Sequence, residues 1–170
     1  VTFVADVNAT QGNKTSVTYQ IVDQFGQTAT STLTPVVPAP PVAVNDTSSG
    51  DFDTNQTITL LTNDSATSPA TLVASSVRLC ATTSTANASC TLTSLTVADE
   101  GTYTVNTTTG VVTFDPLPTF TGTASPVKYV VQDTTGQIAG ATVTPTVSLP
   151  DEPTAANDTS SGDFDTNQTI

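Results

Sequence analysis

The sequence predicts an all-β chain of tandem antiparallel β-sandwich domains joined by Pro-rich linkers. Three observations carry this. Asn45–Ile58 returns letter for letter as Asn157–Ile170, an offset of 112 residues. Short runs alternate apolar and polar residues with period 2, separated by turn-forming residues. β-Branched Thr and Val recur throughout, and no stretch carries an apolar stripe at helical spacing. A repeat of this length is a whole domain, because solenoid units run to about 20–50 residues.

A second echo confirms the period. Val17–Val37 aligns with Val127–Val147, with Tyr19, Asp23, Gly26 and Pro35 matched by Tyr129, Asp133, Gly136 and Pro145. Val1–Phe3 likewise has a partner in Val112–Phe114. Residues 1–37 therefore read as the C-terminal part of one repeat, 38–149 as a complete β-sandwich repeat, and 150–170 as a linker and the start of the next. The chain reads as a window on a longer array.

Taken in order, Val1–Phe3 and Val17–Val22 are strands, Asp23–Gly26 is a turn, and Gln27–Val37 is one long strand. Pro38-Ala39-Pro40-Pro41, and later Pro150-Asp151-Glu152-Pro153, cannot continue a sheet, because proline fixes φ and removes amide donors. In the full repeat Ile58 and Leu60 share a face, and Asn63–Pro69 is a turn-rich loop. Ser76–Cys80 and Cys90–Val97 are strands tied at the cysteines, with the polar loop Ala81–Ser89 between them. Gly101–Val105 and the strand carrying Val112 and Phe114 form a hairpin around Asn106–Gly110. Val127, Tyr129 and Val131 line one face of the next strand. After a turn at Asp133–Gly136, Ala139, Ala141, Val143, Pro145 and Val147 line one face of the last. The sum is seven to nine strands, immunoglobulin-like in a broad sense.

Composition narrows the function. Three basic residues stand against fifteen acidic ones, a net charge of −12, which opposes phosphate backbones and anionic lipid. Nucleic acid is not an expected partner. No run of about 18 apolar residues is present, so no membrane insertion is expected. The chain has no His, the usual general base and commonest transition-metal ligand, so neither a Ser/His/Asp nor a Cys/His set is possible. No catalytic residue and no enzymatic activity are expected. Cys80 and Cys90, alone in the chain and close together, suggest a local disulfide formed in an oxidising compartment.

The acidic residues offer one candidate metal site. Asp46, Asp51 and Asp53 lie near the first linker, and Asp158, Asp163 and Asp165 repeat them near the second. Asp51 and Asp53, two apart, point the same way in an extended segment, with Phe52 between them facing the core. Such hard oxygen ligands suit Ca2+ at inter-domain junctions, although calcium wants about six to eight oxygens. Solvated acidic turns that deter edge pairing are the simpler reading. Asn-X-Ser/Thr sequons at Asn45, Asn55, Asn63, Asn87 and Asn106 are candidate glycosylation sites. Lys128 lies opposite the Val127/Tyr129 face and is expected to point to solvent.

The stretch GTYTVNTTTGVVTFDPLPTFTGTASPVKYVVQDTTGQIAGATVTPTV, with Ser75–Leu79 and Leu95–Val97 upstream, resembles the CshA-type fibril repeat of giant bacterial cell-surface adhesins. The opening VAVNDTSSGDFDTNQTITLLTND is also similar to cadherin-like and VCBS-type bacterial repeats. The resemblance implies a stalk or spacer in a long extracellular fibre attached to the cell wall. Its partners are neighbouring repeats of the array or filament, and the host or cell-surface ligand is bound elsewhere in the full protein. The Cys80–Cys90 segment departs from the pattern of the family. The alternative is a calcium- or glycan-dependent binding module of a secreted multidomain protein. Two assemblies follow from the duplication: a covalent array, or subunits in which Asn157–Ile170 completes the sheet of another chain's Val1–Val37.

Overall fold

The computed structural model describes residues 10–165 with Thr2, residues 4–6 and Asn167. Val1 and Phe3, on which the first expected strand rests, lie outside the described residues. The chain runs β1 (Gly12–Asn13), β2 (Val17–Val22), β3 (Thr28–Leu33), β4 (Val36–Val37), β5 (Asp46–Gly50) and β6 (Gln56–Ile58). After a 3-10 turn at Leu60–Thr62 come β7 (Leu72–Leu79), β8 (Ser94–Val97), β9 (Gly101–Val105) and β10 (Val112–Pro116). β11 (Gly122–Thr123), β12 (Val127–Asp133) and β13 (Ile138–Val147) complete it.

Strands β5–β13 form a two-sheet sandwich. One sheet runs β6-β10-β9-β8. The other centres on β13, with β12 and then β7 on one edge; β11 continues the line of β12, and β5 lies along the other edge. The expected alternation places the core. Tyr103, Val105, Val112 and Phe114 from the first sheet meet Val77, Leu79, Val127, Tyr129, Val131, Ala141, Val143 and Val147 from the second. The Tyr103 and Phe114 rings sit 4.6 Å apart, and Phe120 meets Phe114 edge-on at 6.4 Å. Each such fully buried large side chain contributes about 2–3 kcal/mol by leaving water.

Local chemistry sets the turns. Asn106 Oδ1 accepts the amides of Thr108 and Thr109 at 3.0 and 3.2 Å, and Gly110 turns the chain at φ +72°. Only glycine fits there, because a Cβ would stand 2.7 Å from the Ala74 carbonyl. Asp133 does the same for the β12–β13 turn, its Oδ1 accepting from Thr135 N at 2.8 Å and Gln137 N at 3.0 Å.

Residues 12–37 repeat part of this architecture in the same register. Val17 pairs Leu33 and Tyr19 pairs Ser31, as Val127 pairs Val143 and Tyr129 pairs Ala141. Gly12 pairs Val37 as Gly122 pairs Val147. The long strand expected over Gln27–Val37 is divided into β3 and β4 around Thr34 and Pro35. The matching Pro145 lies inside an unbroken β13, where it is paired with Ser48 of β5. A proline lacks an amide donor, so the neighbouring strand β5 is what carries the ladder past it.

Candidate functional site

The distinctive chemistry of the repeat is concentrated where the chain enters it and leaves it. The incoming segment is pinned to the loop before β7: Val42 N donates to Ser65 O at 2.8 Å, and Ser65 N to Val42 O at 2.9 Å. Val44 N donates to Asp64 Oδ1 at 2.7 Å. Beneath them the buried Tyr129 hydroxyl lies 2.9 Å from Asp46 Oδ2 and 3.0 Å from Asp64 Oδ2. One phenol thus joins two carboxylates from two segments to the centre of the second sheet.

The electrostatics of this clasp follow from burial. Loss of water raises both aspartates above the ordinary 3.8; the Tyr129 hydroxyl opposes this at Asp46, and the neighbouring Asp64 charge adds to it. For Asp64 the Val44 amide and the Tyr129 hydroxyl pull the other way. The Tyr129 phenol is itself pushed far up by burial and the two carboxylates. One phenolic proton cannot serve two anions. A proton on either carboxyl satisfies the group, since that carboxyl donates to the phenol oxygen while the phenol donates to the other.

The first and last strands of the repeat lie side by side and parallel. Asp46 pairs Val143, and the register holds through Thr47–Thr144, Ser48–Pro145 and Ser49–Thr146 to Gly50–Val147. Each end is secured. Asn45 Oδ1 accepts from Thr142 N at 3.0 Å at one, and Gly50 O accepts from Ser148 N at 2.9 Å at the other. Buried Gln56 ties the pair from beneath, donating to Thr146 O at 2.9 Å and accepting from Ser48 Oγ at 2.5 Å.

Cys80 and Cys90 are joined, as the spacing suggests. The loop they close does not stand in solvent as a simple polar excursion. It lies on the outer face of the second sheet, where Cys80, Cys90 and Val130 form a separate buried cluster with Ala86 and Ile138 packed on it. Lys128, expected to face solvent, is half-buried and donates to Ser84 O at 2.9 Å. The loop covers it because β12 presents Lys128 and Val130 on the face away from the core. Gly140 makes room: a Cβ there would stand 2.4 Å from Ala86 Cβ. Gly140→Ala should therefore lift the loop and cost about 1 kcal/mol, seen as a lower melting temperature with faster proteolysis within 81–89.

The sequence matches the family described as the surface adhesin CshA repetitive domain over residues 38–147, which span all of β5–β13. The chain belongs to that family. The comparison with curated proteins returned no match. Its unit in this chain is thus a repetitive element of a surface adhesin, built as a β-sandwich.

Within this CshA repeat the candidate calcium ligands are dispersed. Asp46 is committed to Tyr129, while Asp51 and Asp53 are exposed. The extended geometry expected for Asp51–Asp53 is replaced by a turn, with Asp53 at φ +53° and Thr54 N donating to Asp51 O. Phe52 is half-buried there and stays out of the core cluster. Asp165 repeats the turn at φ +60°, so the local sequence encodes it. Asp158, Asp163 and Asp165 are exposed. Among the described residues no three acidic, Cys or His side chains are placed to share a metal ion.

The sequon asparagines are engaged in local structure at four of five positions. Asn45 and Asn106 accept backbone amides, Asn63 donates to Asn45 O at 3.4 Å, and Asn87 accepts from Ser89 and donates to Thr85. Asn55 is exposed. Sequence reasoning missed the Tyr129–Asp46–Asp64 clasp. Its signal was present in the Asn-Asp pairs at 45–46, 63–64 and 157–158, and in the retention of tyrosine at 19 and 129.

Proposed function

We propose that the repeat is a load-bearing spacer of a long bacterial surface fibre, which projects a distal adhesive region outside the cell. The observation that carries this is the parallel pairing of β5 with β13. Tension from neighbouring repeats enters at the start of β5 and leaves at the end of β13. In a parallel pair those points are at opposite ends. The load therefore runs along the strands and strains all five registered pairs together, where an antiparallel pair pulled at one end opens a bond at a time.

Other features support the same reading. The chain lacks His, and a cavity of about 240 Å3 beside the 3-10 turn, lined by Leu60, Thr109 and Gly110 among others, has no titratable side chain. Among the described residues no helix is long and apolar enough to cross a membrane. The partners in this reading are adjoining repeats, and the ligand of the fibre binds elsewhere.

The test is single-molecule pulling of the full chain. With handles flanking the complete repeat, one rupture should release about 330–360 Å of chain, from 3.3–3.6 Å per residue over the matched domain less residues 81–89, which the disulfide keeps closed. The force should be severalfold higher than with the second handle moved to Thr135, in the β12–β13 turn, where the load peels the sheet. Equal forces in the two geometries would remove the mechanical argument.

A further inference from the structure

The two outer faces of the complete sandwich carry charge of opposite sign. Of the three basic residues in the chain, Arg78 and Lys128 lie in the matched domain, and both point outward from the second sheet. Arg78 sits between the buried Val77 and Leu79 on β7, and Lys128 between the buried Val127 and Tyr129 on β12. Val130 stands opposite Arg78, and Lys128 is the next outward position along β12. The two side chains are thus diagonal neighbours, with Cβ atoms about 7–8 Å apart. Each donates to main-chain carbonyls: Arg78 Nη1 to Ser75 O and Val77 O at 2.9 and 2.6 Å, Lys128 Nζ to Ser84 O at 2.9 Å. A carbonyl satisfies a donor but leaves the net charge in place. The outward positions of β5, β7, β12 and β13 hold no acidic residue, and the loop 81–89 has no charged one.

The first sheet presents the opposite. A row of hydroxyls, Thr57, Thr113, Thr104 and Ser94, crosses all four strands. In the next row the exposed Asp115 stands beside Thr102, whose hydroxyl lies 3.0 Å from that of Thr96. No outward position of β6, β8, β9 or β10 holds a basic residue. We propose that the outer face of the second sheet docks on the outer face of the first sheet of a second copy, with Arg78 against Asp115 and Lys128 adding to the positive side. Charge complementarity selects this partner and this orientation, because the surrounding hydroxyls both donate and accept and so favour neither. The planar guanidinium suits a carboxylate in two-point contact. The other acidic residues of the repeat lie in the clasp and in turns at its ends. In physiological salt, charges more than about 8 Å apart are largely screened, whereas a pair in contact is not. The contact is heterologous, so each copy offers one face to each of two neighbours and the row does not close. Arrays side by side would repeat it at every domain, and weak contacts then add through avidity. None of this requires that the repeat bear load.

Sedimentation of the full chain at rising concentration, in low and in high salt, tests it. The native chain should self-associate, less so in high salt. Arg78→Asp and Asp115→Arg should each weaken association about tenfold, since each turns the central attraction into a repulsion. The first makes the native net charge of −12 more negative by two and the second less negative by two, so overall repulsion predicts opposite effects. The double variant Arg78→Asp with Asp115→Arg has the native net charge and should associate as the native chain does. An equal mixture of the two single variants should also recover, because each then meets its complement on the other. Stronger association of Asp115→Arg would overturn the proposal, as would native chain that stays monomeric up to about 1 mM. So would a mixture of the single variants, both with native melting temperatures, that associates no better than either alone.

Discussion

Tyr129→Ala is expected to unfold the repeat at 37 °C. The ring is wholly buried between the sheets, and truncating a large aromatic there costs about 3–5 kcal/mol. Buried Asp46 then loses the phenol, and half-buried Asp64 keeps only the Val44 amide, a further penalty of about 1–3 kcal/mol. The total is comparable with the whole stability of a domain, about 5–15 kcal/mol. Tyr129→Phe separates the two contributions. It keeps the ring and removes only the hydroxyl, so the melting transition should survive, lowered by about 2 kcal/mol in stability. If Tyr129→Phe melted with the native protein, the clasp would have no energetic role.

The clasp also sets the response to pH. Asp46 and Asp64 are raised above their ordinary 3.8, so the folded state holds their protons more tightly than the unfolded chain does. Their contribution is complete below 3.8 and is lost as pH rises through the raised values. Stability should therefore increase as pH falls from neutral toward 3.8, helped by the shrinking net charge of −12. Asp133 works in the opposite sense. Burial alone would raise it, but the bonds from Thr135 and Gln137 outweigh burial and hold it below 3.8. Its contribution is lost as pH falls below 3.8, which closes the window on the acid side. In Tyr129→Phe the aspartates lose a donor that favours their anions, so the gain on acidification should be larger than in the native protein. A flat profile of melting temperature between neutral pH and 3.8 would contradict this assignment.

What the sequence shows of this fold is what local chemistry encodes. The hairpins at Asn106–Gly110 and Asp133–Gly136 are legible because each turn is closed by its own Asn or Asp and a left-handed glycine. The core is legible because alternation assigns a face to Tyr103, Phe114, Tyr129 and Val143 whatever the strand order. Neither property reaches the terminal strands. β5 is Asp-Thr-Ser-Ser-Gly, with no alternation to read, and its partner lies almost a full repeat away. The clasp is equally non-local, joining residues 83 and 65 positions apart. The covered outer face did leave a trace. Where Lys128, Val130, Ile138 and Gly140 lie under the disulfide loop, the preceding copy has Thr18, Gln20, Thr28 and Thr30. Those four are polar or hydroxyl-bearing, where the complete repeat has an apolar and close-packed surface.

That pairing of loop and surface makes the disulfide the other change with a large expected effect. The bond closes a short loop, and the chain-entropy model assigns it about 2–3 kcal/mol. Its position adds to this. Leu79, just before Cys80, ends β7 in the second sheet, and Leu92, just after Cys90, leads into β8 in the first; Leu79 and Leu92 exchange both backbone bonds, at 2.8 and 3.1 Å. The staple thus clamps the crossover between the sheets as well as the loop. Cys80→Ser with Cys90→Ser, or reduction of the native bond, should lower the melting temperature by about 10 °C or more, from roughly 4–8 °C per kcal/mol in small domains. Hydrogen exchange should quicken first in residues 81–89 and at Val130, whose cover is lost, while β9 and β10 stay protected by Tyr103 and Phe114. An unchanged melting temperature, or uniform loosening of both sheets, would show that the loop is held by its packing alone. A repeat stapled in this way keeps its cover only where thiols are oxidised. The bond therefore suits the extracellular fibre proposed above.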